Sequence, residues 1–343
     1  MKRAFRDFVG NERLKQRLAS DILSHRLSHA YIINGARGSG KHTLARSVAA
    51  AVACENQENG NLPLPCGDCP SCKKILSGNS PDLIFINKGD RATMGVETIR
   101  ELRRDVYVAP NDIAAKIYVI EDAHLMTEQA QNAFLLTLEE PPSYVLFLLL
   151  SESTETLLET IRSRAPILRT EPIPSDQIGD YLLRTVPEAK QIRSSSQTDW
   201  GEILAAADGS IGRAIALLDP KAHKPIVERR HAARSFVSLC AQRKSSTEAM
   251  RFILALPVKR EELTEQCNEM LLCLRDLLLL KQTENAPLCF FFDRDEAISL
   301  AYSLTTPRLL TLCDSVSRAI DALRRNVNVR LALMTLLSDC DLL

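Results

Sequence analysis

Apolar residues in the first half of the chain come in short unbroken runs separated by stretches with helical spacing. The runs are YII at 31–33, DLIFIN at 82–87, KIYVI at 116–120 and VLFLLL at 145–150. Each is too short for a core helix and rich in β-branched or aromatic residues, which predicts strands buried on both faces. Between them the period changes. LARSVAAAVAC (44–54), VETIRELRRDV (96–106) and TEQAQNAFLLTLEE (127–140) read as helices, the last with Ala130, Ala133, Phe134 and Leu138 on one face and Pro141–Pro142 at its end. Residues 1–30 read as helical and amphipathic through Leu14, Leu18 and Ile22, with 8–12 as a loop before the helix. This β-α-β-α-β order predicts an α/β domain with a parallel sheet of about five strands between 31 and 170 and helices on both faces.

After PILRTEPIP (166–174) the strand pattern stops. Residues 175–219 predict two or three short helices punctuated by Gly209 and Gly212. Residues 225–343 are helical in pattern, as in MLLCLRDLLLL (270–280) and VRLALMTLLSDCDLL (329–343). The expected organisation is an α/β domain over 1–171, a small helical domain over 172–220 and an all-α domain over 221–343.

The turn after the first strand changes the picture from fold to chemistry. NGARGSGKHT (34–43) places Gly35, Gly38, Ser39, Gly40 and Lys41 between a strand and a helix, the context of a phosphate-binding loop. Backbone N–H groups and the helix N-terminus would face an anion, and Lys41 would reach the terminal phosphates. The pattern G-x-x-x-x-G-K-[ST] fails at its last position. His42 stands where the magnesium-binding hydroxyl belongs, and Thr43 follows one residue late, about 100° around the helix. The loop is therefore expected to hold ATP but to be poorly built for Mg2+-dependent hydrolysis.

Glu121 and Asp122 end the KIYVI strand, where phosphate-loop enzymes carry the carboxylate that holds magnesium and the one that polarises water. Their order is the reverse of the usual Asp then Glu. Ser151 ends the VLFLLL strand, where a polar group can lie between loop and acids. Arg164, in TIRSRA, is expected to start the next strand, with no nearby acid in sequence between Glu159 and Glu171. Arg213, in GSIGRAIALL, opens a helix of the second domain and reaches a nucleotide only if that domain folds back as a lid.

Cys66, Cys69 and Cys72 form C-x2-C-x2-C, with Cys54 upstream across eleven intervening residues, within a polar insertion over 54–72. Four thiolates suit structural, tetrahedral Zn2+. A redox C-x-x-C and plain burial are the alternatives. The remaining cysteines, at 240, 267, 273, 289, 313 and 340, sit in apolar helical stretches and read as core residues. Lys+Arg and Asp+Glu number 43 each, so no net field drives the chain onto nucleic acid, which argues against a DNA-binding repair ATPase. MKRAFRDF has no apolar h-region after it, and no run is long enough to span a bilayer, so the expected compartment is the cytoplasm, with no membrane partner.

The order of phosphate loop, four-cysteine insertion, NSPDL (79–83), KIYVIEDAHLMTEQAQNAFLLTLEEPP (116–142) and LLETIRSRA (157–165) closely resembles the bacterial DNA polymerase III clamp loader family, an AAA+ group. Within it the chain is most similar to delta-prime-type subunits, strongly over 1–170 and weakly over 225–343, where RRNVNVRLAL (324–333) is similar to the family's C-terminal helix. The resemblance implies an AAA+ domain, a helical lid and a helical collar. It also implies a place in a hetero-pentameric ring with gamma/tau and delta subunits that loads the sliding clamp on primer–template DNA. Ser163-Arg164-Ala165 matches the family's S-R-C motif, so Arg164 is expected to act in trans as an arginine finger, with Ala165 replacing Cys. The alternative is a catalytically active ATPase of gamma/tau type, although those subunits keep an intact loop and acidic pair.

Overall fold

The computed structural model describes residues 4–342 apart from 60, 61, 243–250, 253, 284, 285, 287 and 326. Parts of the expected 1–30 and 225–343 helical stretches and of the 54–72 insertion therefore lie outside the described residues. The chain divides into two compact units, 1–177 with 210–212, and 178–209 with 213–343.

In the first unit the apolar runs become β1 (Ala30–Asn34), β2 (Leu83–Ile86), β3 (Lys116–Ile120), β4 (Val145–Ser151) and a short β5 (Ile167–Arg169). They form one sheet in the order β2-β3-β4-β1-β5, and every pairing is parallel. Because side chains alternate across a strand, each run supplies both faces. Tyr31, Ile33, Ile117, Val119, Leu146, Leu148 and Leu150 face one layer, packed with Leu44, Ala45 and Val48 of helix α2 (Lys41–Val52). Ala30, Ile32, Tyr118, Ile120, Phe147 and Leu149 face the other. There they meet Ile99 and Leu102 of Val96–Asp105, and Ala130, Phe134 and Leu138 of Glu128–Glu139. Phe134 meets Phe147 edge-on at 5.2 Å. This is the expected α/β arrangement, a five-stranded parallel sheet with helices on both faces.

The first helix is shorter than the sequence pattern suggested. It spans Glu12–Leu23, so the loop expected over 8–12 does precede it, but it stops well short of residue 30. Asn11 takes a left-handed conformation (φ 55°) before it, and the Asn11 Oδ1 accepts from the Glu171 N–H at 2.6 Å. His25, also at positive φ, stops it after Ser24. Upstream, Phe5 and Phe8 are buried in a turn closed by the Phe8 N–H on Phe5 O, and the Phe5 N–H donates to Leu64 O at 2.7 Å, which pins this stretch to the insertion.

Asp82, the acid of NSPDL, is fully buried just before β2. Its carboxylate accepts from the N–H groups of Asn111, Asp112 and Ile113 at 2.8, 2.6 and 3.1 Å, closing the turn that feeds β3.

The second unit is helical in every regular element described, the longest being Pro220–Gln242, Arg260–Gln282 and Thr306–Arg324. Its core includes Phe236, Met270, Leu274, Leu277, Phe290, Leu312, Val316 and Leu336. Cys240, Cys267 and Cys273 are buried on helices, while Cys313 is half-buried on its helix. Cys289 departs from the expected helical setting: it lies in a bend, where Arg275 Nη1 donates to its sulfur at 3.1 Å, and Cys340 is at a helix end. Asp276, fully buried, caps that bend by accepting from Cys289, Phe290 and Phe291 N–H. No described helix is long and apolar enough to cross a membrane.

Replacing Asp82 with Ala leaves three inward N–H groups without their charged acceptor, which costs about 2–3 kcal/mol. The expected result is that loss in the opening free energy of β2 and β3 amides, measured by native-state hydrogen exchange on the full chain. Unchanged protection would show that the turn is held by other contacts.

Candidate functional site

In an open parallel α/β sheet, ligand-binding groups collect beyond the carboxyl ends of the strands. The loop after β1, the acids after β3 and Ser151 at the end of β4 all fall there. Gly38 and Gly40 take φ of 76° and 86°, which side chains avoid, so the backbone curls before α2. Gly35 is required for a different reason: a Cβ there would sit 1.8 Å from Thr170 Oγ1. Thr170 follows β5, and its hydroxyl donates to Ser39 Oγ at 3.0 Å, pinning the loop from the far side. On the outer side Gly212 N–H donates to Gly38 O at 3.2 Å.

Lys41 is buried at the start of α2, and its Nζ donates to Gly35 O and Ala36 O at 2.7 and 2.8 Å. Burial pulls its pKa below the ordinary lysine value, and the charges of Glu152 and Asp122 act against that shift. The ammonium thus sits in the curl of the loop beside the first free N–H groups of α2, the arrangement that attracts an anion.

His42 and Glu121 are brought together. His42 Nε2 lies 2.9 Å from Glu121 Oε1, with side-chain exposures of 59% and 25%. The imidazole N–H donates and the carboxylate accepts. Thr43 points outward and is exposed. Asp122 adopts a left-handed conformation (φ 47°, ψ 44°) at the turn after β3. Ser151 is fully buried, its Oγ donating to Ser153 O at 2.5 Å, while its carbonyl accepts from the Gly35 N–H at 3.1 Å. Magnesium takes oxygen ligands in near-octahedral array, and imidazole nitrogen suits other metals. The set His42, Glu121 and Ser151 does not fit it: one position offers nitrogen, one oxygen is already hydrogen-bonded, and the hydroxyl is turned into its own bend.

Arg164 differs from the sequence expectation in two ways. It does not start a strand but ends the short helix Glu159–Arg164, with β5 beginning at Ile167. It also has an acid partner: Arg164 Nη2 lies 3.0 Å from Glu139 Oε1, and its Nη1 donates to Thr160 O. Glu139 is the last residue of a helix 25 positions upstream, so no local pattern could reveal the pair. Arg213 lies in the helix Ile211–Ala216, with Nη2 3.5 Å from Glu269 Oε1.

The sulfurs of Cys54, Cys66, Cys69 and Cys72 all lie within 4.8 Å of one another, and all four residues are buried. Cys66 and Cys72 sulfurs are 3.9 Å apart. A tetrahedral site with bonds of about 2.3 Å to sulfur requires sulfurs about 3.8 Å apart, so the donor set fits such an ion. Cys69 caps the helix Pro70–Leu76, which turns Cys72 toward the cluster. N–H groups of Cys69 and Cys72 point at the Cys66 and Cys69 sulfurs, each at 3.4 Å. Burial works against the Cys66 thiolate, but the Cys69 N–H and Asn56 amide outweigh it and hold that thiol down to about 6. Burial pushes Cys54 and Cys72 up. The four cysteines can hold a metal. Sequence reasoning missed Thr170, Glu139 and Glu152, which act here through contacts made far along the chain.

A family model described as DNA polymerase III, delta subunit, matches residues 10–174. The chain is 36% identical over 217 residues to the DNA polymerase III subunit tau of Bacillus subtilis, covering 63% of this chain and 37% of that protein. It is 28% identical over 282 residues to the subunit gamma of Buchnera aphidicola subsp. Schizaphis graminum, covering 79% of this chain and 70% of that protein. A crystal structure of a gamma subunit-related protein from Thermotoga maritima aligns with 95% of this chain and 97% of its own, at 15% identity and a TM-score of 0.43. The chain thus spans only about a third of the length of the tau relative, 37%. Residues 10–174 thus match a DNA polymerase III delta-subunit family model, and the chain is similar in sequence to tau and gamma subunits of that polymerase.

Proposed function

We propose that this chain is a delta-prime-type subunit of a bacterial DNA polymerase III clamp loader, a cytoplasmic ring member that does not turn over ATP itself. The observation that carries this reading is the 2.9 Å hydrogen bond between His42 and Glu121, at the two positions where a hydrolysing phosphate loop needs magnesium ligands. Loop residues Gly35, Gly38, Ser39, Gly40 and Lys41 still offer N–H groups and one cation to a nucleotide's phosphates. Arg213 serves as the lid arginine, and Asp122 is a remnant of the acidic pair. In the ring, with gamma/tau and delta subunits as neighbours, the subunit helps place the sliding clamp on primer–template DNA. The helical region from 221 onward is the collar.

Arg164 is the chain's catalytic contribution, made to a neighbour's ATP. Its guanidinium is planar and permanently charged, and it grips a phosphoryl group with two parallel hydrogen bonds. The pair with Glu139 does not stand in the way. Both side chains are largely solvated, at 37% and 49% exposure, and such surface pairs are worth about 0–1 kcal/mol. The four-cysteine cluster holds one structural Zn2+, fixing the 54–76 segment.

The second reading, an active ATPase of gamma/tau type, is favoured by the 36% identity to a tau subunit. ATP turnover by the isolated chain separates the two. Turnover is expected to be indistinguishable from a sample with Lys41→Ala. A rate typical of AAA+ enzymes, lost in that variant, would establish the second reading instead.

Rebuilding the ring with Arg164→Ala is expected to leave assembly intact and to slow hydrolysis at the site it serves by about 10³-fold, with Arg164→Lys rescuing poorly. Unchanged DNA-stimulated ATPase in an assembled ring would return Arg164 to a surface ion pair. For the metal, elemental analysis of protein purified without chelator is expected to find about one zinc per chain, and Cys69→Ser to abolish it. Chelation should expose 54–76 to proteolysis while the sheet stays protected. Zinc-free protein with that segment intact would leave four buried thiols and no metal role.

A further inference from the structure

We infer that the nucleotide held by this loop is bound as the metal-free polyphosphate, with the His42–Glu121 pair closing the position a divalent ion would fill. The inference rests on the nucleotide-binding reading above and goes further, since it names the ionic form of the ligand.

A magnesium ion bound with a nucleotide bridges phosphate oxygens to protein oxygens and cancels part of the polyphosphate charge. This site lacks the hydroxyl oxygen that would hold the ion next to Lys41. At the first position after Lys41 the side chain is an imidazole, whose N–H points at Glu121 Oε1 from 2.9 Å. Neither of two neighbouring hydroxyls replaces it. Thr43 is turned away on an exposed face of α2, and the Ser151 hydroxyl is fully buried and donates to Ser153 O.

The same pair removes the reason a metal would be needed. A bare Glu121 carboxylate beside the loop would repel a polyphosphate, and magnesium ordinarily screens that repulsion. Here the carboxylate is bonded to an N–H of His42, which sits in the first turn of a 12-residue helix whose free N–H groups face the same space. Lys41 supplies a full positive charge within the loop, and the acids whose charges it feels are Glu152 and Asp122. Phosphate charge is met by Lys41, the helix end and the curled backbone, with no bridging ion.

The test is titration of the full-length chain with a fluorescent ADP analogue in chelator, in magnesium and in manganese. The expected result is the tightest binding in chelator and an apparent weakening in magnesium and manganese, which draw ADP into its metal complex in solution, and in His42→Thr the reverse, with binding tightened about tenfold by magnesium, equal to about 1.4 kcal/mol. His42 is mostly exposed, so the variant is expected to fold, as circular dichroism will verify. A second measurement needs no variant. The paramagnetic signal of free Mn2+ is followed as chain and ADP are mixed, and no loss is expected beyond that caused by ADP alone and chain alone. Affinity in the native chain that rises about tenfold or more with either ion, or a ternary Mn2+ complex, overturns the inference and leaves nucleotide binding standing. Absence of binding under all three conditions overturns the nucleotide-binding reading itself, and the inference with it.

Discussion

Strand β1 is hydrogen-bonded along both edges, to β4 from Ala30 to Asn34 and to β5 from Ile32 to Asn34. This double pairing is the constraint on which the site depends. It buries β1 completely from Ala30 to Ile33, so the chain can leave it only at the carboxyl edge, directly into the glycine loop. Thr170, emerging from β5 at the same level, then presses its hydroxyl against Gly35 and Ser39, and Ser151, emerging from β4, accepts the Gly35 N–H. The loop is shaped from both flanks by strands that are distant in sequence. A side chain at Gly35 would break this before any ligand arrived.

The two faces of the sheet carry different duties. One face packs against α2, and the same apolar cluster continues without a break into Cys54, Cys66, Cys69, Cys72 and Ile75. The cysteine insertion is therefore built onto the core at the opposite end of α2 from the glycine loop, not hung from the surface. The other face packs against the helices Val96–Asp105 and Glu128–Glu139. The second of these ends in Glu139, which sets the resting position of Arg164. The residue proposed to act on a neighbour and the residues proposed to hold this chain's own nucleotide thus stand on different elements, tied through one sheet.

Charge in this chain is handled by close pairing. Total charge is zero, and the buried or half-buried ions each have an answer: three N–H groups for Asp82, three for Asp276, loop carbonyls for Lys41, an imidazole for Glu121. A buried charge without such partners costs several kcal/mol, so each of these groups specifies a local geometry as much as it stabilises one. The Glu121 pairing lies beside the glycine loop, where one carboxylate oxygen is occupied by the imidazole of His42.

The sequence by itself determined the elements that depend on local physics. Four short apolar runs became β1 to β4, helical periods became helices, and glycines at 38 and 40 became the left-handed curl, because periodicity and turn chemistry act within a few residues. The cysteine cluster was legible for the same reason: three of its members lie within one turn-and-helix segment. The substitution of His42 for a hydroxyl residue was also visible at once. What only the tertiary structure decided is who meets whom. Glu121 lies 79 residues from His42, Thr170 lies 131 from Ser39, and Glu139 lies 25 from Arg164. Those distances are closed by the strand order, which places β1 between β4 and β5. The first helix was over-read at its far end, where His25 at positive φ stops it, while its start is tied down by Asn11 bonding to Glu171, a contact 160 residues away that no hydrophobic period can encode.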